Sequence, residues 1–125
     1  MNAPRLRPLV VKVTCGTERA ETLNQALTVA ATAVAAGARV SLWLTGEASW
    51  LAVPGDPRGM VDLPHAMPLG DLLAAVLDDG TVTVCTQCAV RRDLTETDLL
   101  PGVRIAGAAV LVEEMLAPDV QGLVY

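Results

Sequence analysis

Three cysteines and one histidine are the residues whose types and spacing could carry covalent or metal chemistry: Cys15, Cys85, Cys88 and His65. Cys15 closes the run Leu9 to Thr14, and Cys85 closes the run Thr81 to Val84. Each run is short and β-branched and reads as a buried strand. A residue just past a strand of an open parallel sheet lies on the edge where functional groups collect. Cys85 also precedes a short helix read over about 87–92, whose free backbone N–H groups and positive dipole end would favour a thiolate. Arg91 and Arg92 stand three and four residues beyond Cys88, on its face of such a helix, and would add positive charge beside that thiol. A thiolate at Cys85 could attack a sulfane sulfur and hold it as a persulfide, by the logic of thiol–disulfide exchange. The plainer reading is that a strand-end cysteine is a small buried hydrophobe.

Other chemistries fit the pattern less well. Cys85-x-x-Cys88 has the spacing of a redox dithiol, but it follows the third strand rather than an early one, and the antiparallel half of a thioredoxin-type fold is missing. Cys15, His65, Cys85 and Cys88 could in principle supply four zinc ligands, yet structural zinc sites pair two close-spaced couples and only one couple is present. His65 sits in a Pro-rich stretch, as a surface histidine would, and no metal site is expected. Gly16 stands alone, and Gly107-Ala108-Ala109-Val110 opens a helix without the spacing of a phosphate cradle. Asp78-Asp79 and Glu113-Glu114 read as solvated helix ends and faces. A hydrolase would depend on His65 alone, and no nucleophile elbow accompanies it.

The elements that would position the cysteines can be read from periodicity. Leu23, Ala26, Leu27, Ala30 and Val34 recur at helical spacing, with Glu18 and Glu21 near the helix start and Gly37 as a left-handed stop. Arg39 to Leu44 is a second strand, closed by Thr45-Gly46. Strand, helix of crossover length and strand form a right-handed βαβ unit and therefore a parallel sheet. Pro54, Gly55, Pro57, Gly59, Pro64 and Pro68 mark a long loop, the kind that serves as a lid or binding segment. Leu69, Leu72, Leu73, Val76 and Leu77 form a second helical stripe, ended by Asp79-Gly80. Thr95 can cap a brief turn over 94–100, with Asp98 three residues on. Pro101-Gly102 turns into a short strand at 103–105, a last helix covers about 107–116 and stops at Pro118, and 120–124 is a fifth strand. The alternation predicts a single α/β domain over residues 1–125, a three-layer α/β/α sandwich around a five-stranded parallel sheet.

Composition narrows the partners. Apolar residues make up 52% of the 125 residues, Phe is absent, and the aromatics are Trp43, Trp50 and Tyr125. A small aliphatic domain of this kind leaves apolar surface that one core cannot absorb, so association is expected. Trp43 and Trp50 could line a site near the second strand's end or fill core and interface space. The net charge of −5, with no cluster of Lys or Arg, speaks against a nucleic-acid partner. The longest uncharged run, Leu23 to Ala38, is too short and too polar to span a bilayer. Arg5 and Arg7 precede Leu9-Val10-Val11, but Lys12 interrupts that run after three residues, unlike a signal peptide. Three cysteines without an export signal suggest a reducing compartment, and a cytoplasmic protein is expected.

Taken in order, these motifs resemble the DsrE/DsrF-like family. Val13-Thr14-Cys15-Gly16, an Ala-rich helix and the stretch 36–46 look like its opening βαβ unit. Pro68-Leu69-Gly70-Asp71-Leu72-Leu73, Val82-Thr83-Val84-Cys85-Thr86-Gln87-Cys88, Leu100-Pro101-Gly102-Val103 and Ala106-Gly107-Ala108 follow its usual progression. The similarity covers nearly the whole chain outside the 53–67 loop. It implies a five-stranded parallel sheet and homo-oligomers, trimers or hexamers, or assembly with related subunits. It implies a sulfur-relay role in which Cys85 carries persulfide sulfur between donor and acceptor proteins, in the manner of a sulfurtransferase and without a cofactor. Cys88 falls on a second cysteine position found in some members, and Cys15, Thr86, Gln87 and His65 are the accompanying binding candidates. The other reading is a non-catalytic oligomeric module that binds a small molecule or protein under the Pro-rich loop.

Overall fold

A computed structural model describes residues 6–125, so Arg5 of the N-terminal basic pair lies outside the described residues. Five strands form one parallel sheet: β1 (Leu9–Val13), β2 (Val40–Leu44), β3 (Thr81–Cys85), β4 (Arg104–Ala106) and β5 (Gln121–Val124). Their spatial order is β4-β3-β2-β1-β5. The α-helices among the described residues are α1 (Ala20–Ala35), α2 (Leu69–Asp79), α3 (Thr86–Arg91) and α4 (Ala108–Met115). The α/β class and the five-stranded parallel sheet read from the sequence are those of the structure.

Strand periodicity divides the core in two. Val11 and Val13 of β1, Leu42 and Leu44 of β2, and Val82 and Val84 of β3 face the main core, where Leu23, Leu27 and Ala30 of α1 and Leu69, Leu72, Leu73 and Val76 of α2 pack. The alternate residues Val10 and Trp43 face the other side and pack on Leu111 of α4. The termini of the helices follow local chemistry. Gly37 at φ +95 ends α1, with Gly37 N–H donating to Val34 O at 2.9 Å and Ala38 N–H to Ala33 O at 3.0 Å. That is the Schellman pattern, in which the left-handed residue satisfies the last carbonyls. Thr95 and Asp98 form the expected capping box at the short 3-10 turn Glu96–Asp98.

Two features depart from the sequence reading. Gly46–Ala52 is a seven-residue 3-10 helix, with Ala48, Ser49, Trp50, Leu51 and Ala52 all buried. Glu113 is exposed as expected, but Glu114 is half-buried and not solvated. Its carboxylate accepts from Ser41 Oγ at 2.6 Å and Trp43 Nε1 at 3.0 Å, and pairs with Arg104 Nη2 at 2.9 Å. Arg104 Nε in turn donates to Thr83 Oγ1. This network ties α4 to β2, β3 and β4 on the less apolar face of the sheet.

Topology decides where a site can form. The chain steps from β1 to β2 to β3 to β4 in one direction, then returns past three strands to β5. Right-handed crossovers place the connections after β1, β2 and β3 on one face and the connection after β4 on the other. The packing agrees: Ala89 of α3 belongs to the same core as α1 and α2, and Leu111 of α4 to the opposite one. The segments leaving β3 and β4 therefore diverge to opposite faces of the sheet at the carboxyl ends of these two strands. In open parallel sheets such a point of divergence is the characteristic ligand position.

Candidate functional site

Cys85 stands at that point of divergence. It is the last residue of β3, in register with Ala106 at the end of β4, and its extended backbone (φ −61, ψ 133) immediately precedes α3. Its side chain makes no capping hydrogen bond, and it is the one cysteine of the three that is not buried. Thr86 and Gln87 follow it and are exposed. Gly107 follows β4 on the neighbouring strand end, where a Cβ would lie 3.7 Å from Thr86 Oγ1. Cys85 and Thr86 thus lie beside Ala106-Gly107.

Cys88 is on the first turn of α3, 8% exposed, and its sulfur accepts Gly46 N–H at 3.1 Å. The sulfur is therefore pinned to the loop that follows β2. Arg92 does not serve this thiol as the sequence reading has it. Its guanidinium donates to the Cys88 carbonyl oxygen and to Glu47 Oε1, each at 3.1 Å, and Arg91 is exposed. Glu47 is drawn to Arg92 and also accepts from Trp50 Nε1 at 2.7 Å. Trp50 is capped on its ring face by the Arg58 guanidinium, 3.4 Å from the centroid. This chain of contacts joins the ends of β2 and β3 to the Pro-rich loop.

Cys15 follows β1 and is 3% exposed within the main core. Burial pushes its thiol above the ordinary value of 9.0, and the neighbouring Glu18 carboxylate pushes it the same way. A buried, protonated thiol is a poor nucleophile. The adjacent Gly16 is required sterically, since a Cβ there would lie 2.7 Å from Glu47 Cβ. The three cysteines are all free.

His65 is exposed in a turn of the Pro-rich loop, in the left-handed conformation at φ +60. Cys15, His65, Cys85 and Cys88 do not assemble as a ligand set: among the described residues no three His, Cys, Asp or Glu side chains are grouped to hold a metal ion. The loop itself is anchored rather than loose at its middle. Arg58 O accepts from Thr17 Oγ1 at 3.2 Å, and Gly59 lies so close to the backbone of Trp50 that a Cβ would be 2.4 Å from Trp50 O. Between the loop and α2 lies a cavity of about 480 Å³, lined by residues that include Trp50, Leu51, Met60 and Leu73 and by none of the cysteines. The sequence marked the loop as a binding segment, but the cavity depends on long-range packing of the loop on α2, which no local pattern encodes.

A parallel α/β sheet with a half-exposed cysteine at the strand end where the crossovers diverge defines the class of protein. The chain belongs to the DsrE/DsrF-like family, whose model matches residues 10–120. Among solved structures it is similar to the YchN protein from E. coli, with a TM-score of 0.79 at 18% identity, covering 96% of this chain and 100% of that one. It is also similar to MTH1491 from Methanobacterium thermoautotrophicum, a protein of unknown function, with a TM-score of 0.67 at 10% identity, covering 96% and 99%. At these identities the likeness is one of fold. Among curated proteins nothing matches. No helix among the described residues is long and apolar enough to cross a membrane.

Proposed function

We propose that this protein is a sulfur carrier of the sulfurtransferase type, with Cys85 as the residue that holds the sulfur. The observation that carries the reading is the placement of Cys85: the one unburied cysteine, at the strand end where the crossovers diverge, with no side-chain capping hydrogen bond among the described residues. The reaction needs no external oxidant or reductant. The Cys85 thiolate attacks the outer sulfur of a donor persulfide, the donor's S–S bond breaks, and the donor leaves as a thiolate that takes up the proton. Cys85 then carries a persulfide whose outer sulfur passes to an acceptor thiol by the same exchange.

Cys88 and Cys15 are not equivalent to Cys85 in this scheme. Cys88 is three residues further on, buried, and its sulfur accepts the Gly46 N–H, so it is the less accessible thiol of the pair. Cys15 is walled into the core. We further propose that the protein acts as a homo-oligomer, a trimer or hexamer, or with related subunits, in the cytoplasm. Leu116 at 79% exposure, Val124 at 65% and Val112 at 49% leave an apolar strip on α4 and β5 that supports association. Brief treatment with iodoacetamide followed by peptide mapping tests the site. Alkylation concentrated on Cys85 is expected, and equal, slow labelling of all three cysteines would instead favour a non-catalytic binding module.

A further inference from the structure

The cavity between the Pro-rich loop and α2 is separate from the cysteines and has no part in the sulfur chemistry above. Its volume of about 480 Å³ is that of a small-molecule site. Its walls are aliphatic, with Leu51 and Val53 on one side, Leu69, Leu73 and Leu77 from α2 on the other, and Leu100 closing one end. We propose that this cavity binds a small organic cation, an apolar body bearing one ammonium group.

Charge and shape carry the assignment. The ionisable side chains lining the cavity are all carboxylates: Asp56, Asp62 and Asp71. Asp56 is already neutralised by Arg58, whose Nη2 and Nε donate to it at 2.6 and 2.9 Å. Asp62 and Asp71 are exposed and form no salt bridge among the described residues. An anionic ligand would meet two uncompensated charges of its own sign, whereas an ammonium group at the rim would be paired. Gly70 and Ala74, one helical turn apart on α2, are small, exposed and line the cavity. Gly70 lies in a helix, where alanine is the better former. A Cβ at Gly70 would meet nothing within 4 Å, and its backbone is not left-handed, so neither packing nor conformation requires glycine there.

Trp50 lines the cavity and reports its occupancy through fluorescence, while Trp43 is buried on the opposite face of the sheet and supplies a constant background. The test titrates the protein with hexylammonium chloride and, at matched ionic strength, with sodium hexanoate. Both titrations are repeated on Gly70→Leu and on the double variant Asp62→Asn/Asp71→Asn, with the fold checked by far-UV circular dichroism. A saturable change with hexylammonium is expected, weaker by about tenfold with hexanoate. The response should vanish in Gly70→Leu and lose its cation preference in the double variant. Ala74→Leu, which fills the same space from the next turn, decides if Gly70→Leu does not fold. No saturable response, equal binding of the two probes, or a full response in a folded cavity-filled variant overturns the proposal; the last is what general attraction of cations to an acidic protein would give.

Discussion

Replacing Glu114 with Ala is expected to destabilise the fold by about 2–3 kcal/mol, although a neighbouring carboxylate on the same helix can be removed at almost no cost. The ion pair is the smaller part. Its Arg104 and Glu114 side chains are 40% and 25% exposed, so after screening it contributes about 0.5 kcal/mol. The larger part comes from Trp43, 1% exposed, whose indole N–H loses its one hydrogen-bond partner among the described residues. A buried donor left unmade costs about 1–3 kcal/mol. Ser41 is half-buried and can turn its hydroxyl to water, so its 2.6 Å bond adds only a few tenths, ~0.5 kcal/mol at most. Glu114→Gln keeps an acceptor for the indole and should lose about 1 kcal/mol, while Glu113→Ala, on the exposed face, should stay within ~0.5 kcal/mol of the parent. Urea unfolding at one fixed protein concentration, followed by tryptophan emission and circular dichroism, measures all three. A Glu114→Ala protein as stable as Glu113→Ala would refute the assignment of Glu114 as the polar anchor of α4.

Three further outcomes are expected. Gly59→Ala should cost about 1–3 kcal/mol by thermal or urea unfolding, because its Cβ would be driven to 2.4 Å from a backbone oxygen that cannot step aside. The Arg58–Asp56 hydrogen bonds hold the Asp56 carboxyl below its ordinary value of 3.8, so the stabilisation they supply is complete above that pH and is lost as pH falls through the lower folded-state value. The parent should therefore exceed Asp56→Asn in stability by a margin that is constant from neutral pH to about 4 and shrinks below it, as urea unfolding at each pH measures. If the strip on α4 and β5 is an interface, Val112→Asp/Leu116→Asp should lower the oligomeric state seen by sedimentation velocity while circular dichroism stays unchanged.

What could be read in advance follows from how local each feature is. The α1 stripe and its Gly37 stop, the α2 stripe ended at Asp79-Gly80, and the Thr95–Asp98 cap are all encoded within a turn or two, and each is present where the pattern puts it. The position of Cys85 at a strand end was equally legible, because β-branched runs and a following helix bracket it. The strand order is different. Nothing local in Gln121–Val124 says that it pairs with β1 and not with the nearer β4, and it is this return that parts the chain leaving β4 from the chain leaving β3 beside Cys85. The Glu114 network was illegible for the same reason, since Ser41 and Trp43 lie more than seventy residues away in sequence. The 3-10 run Gly46–Ala52 escaped because its threefold repeat matches neither the strand period nor that of the α-helix.

Intact-protein mass spectrometry after exposure to a persulfide-generating donor measures whether Cys85 holds transferable sulfur. One added sulfur atom is expected on the reduced protein, mapped to the peptide containing Cys85, kept in Cys15→Ser and absent in Cys85→Ser. A Cys85→Ser protein that takes up sulfur at the parent's rate would contradict it.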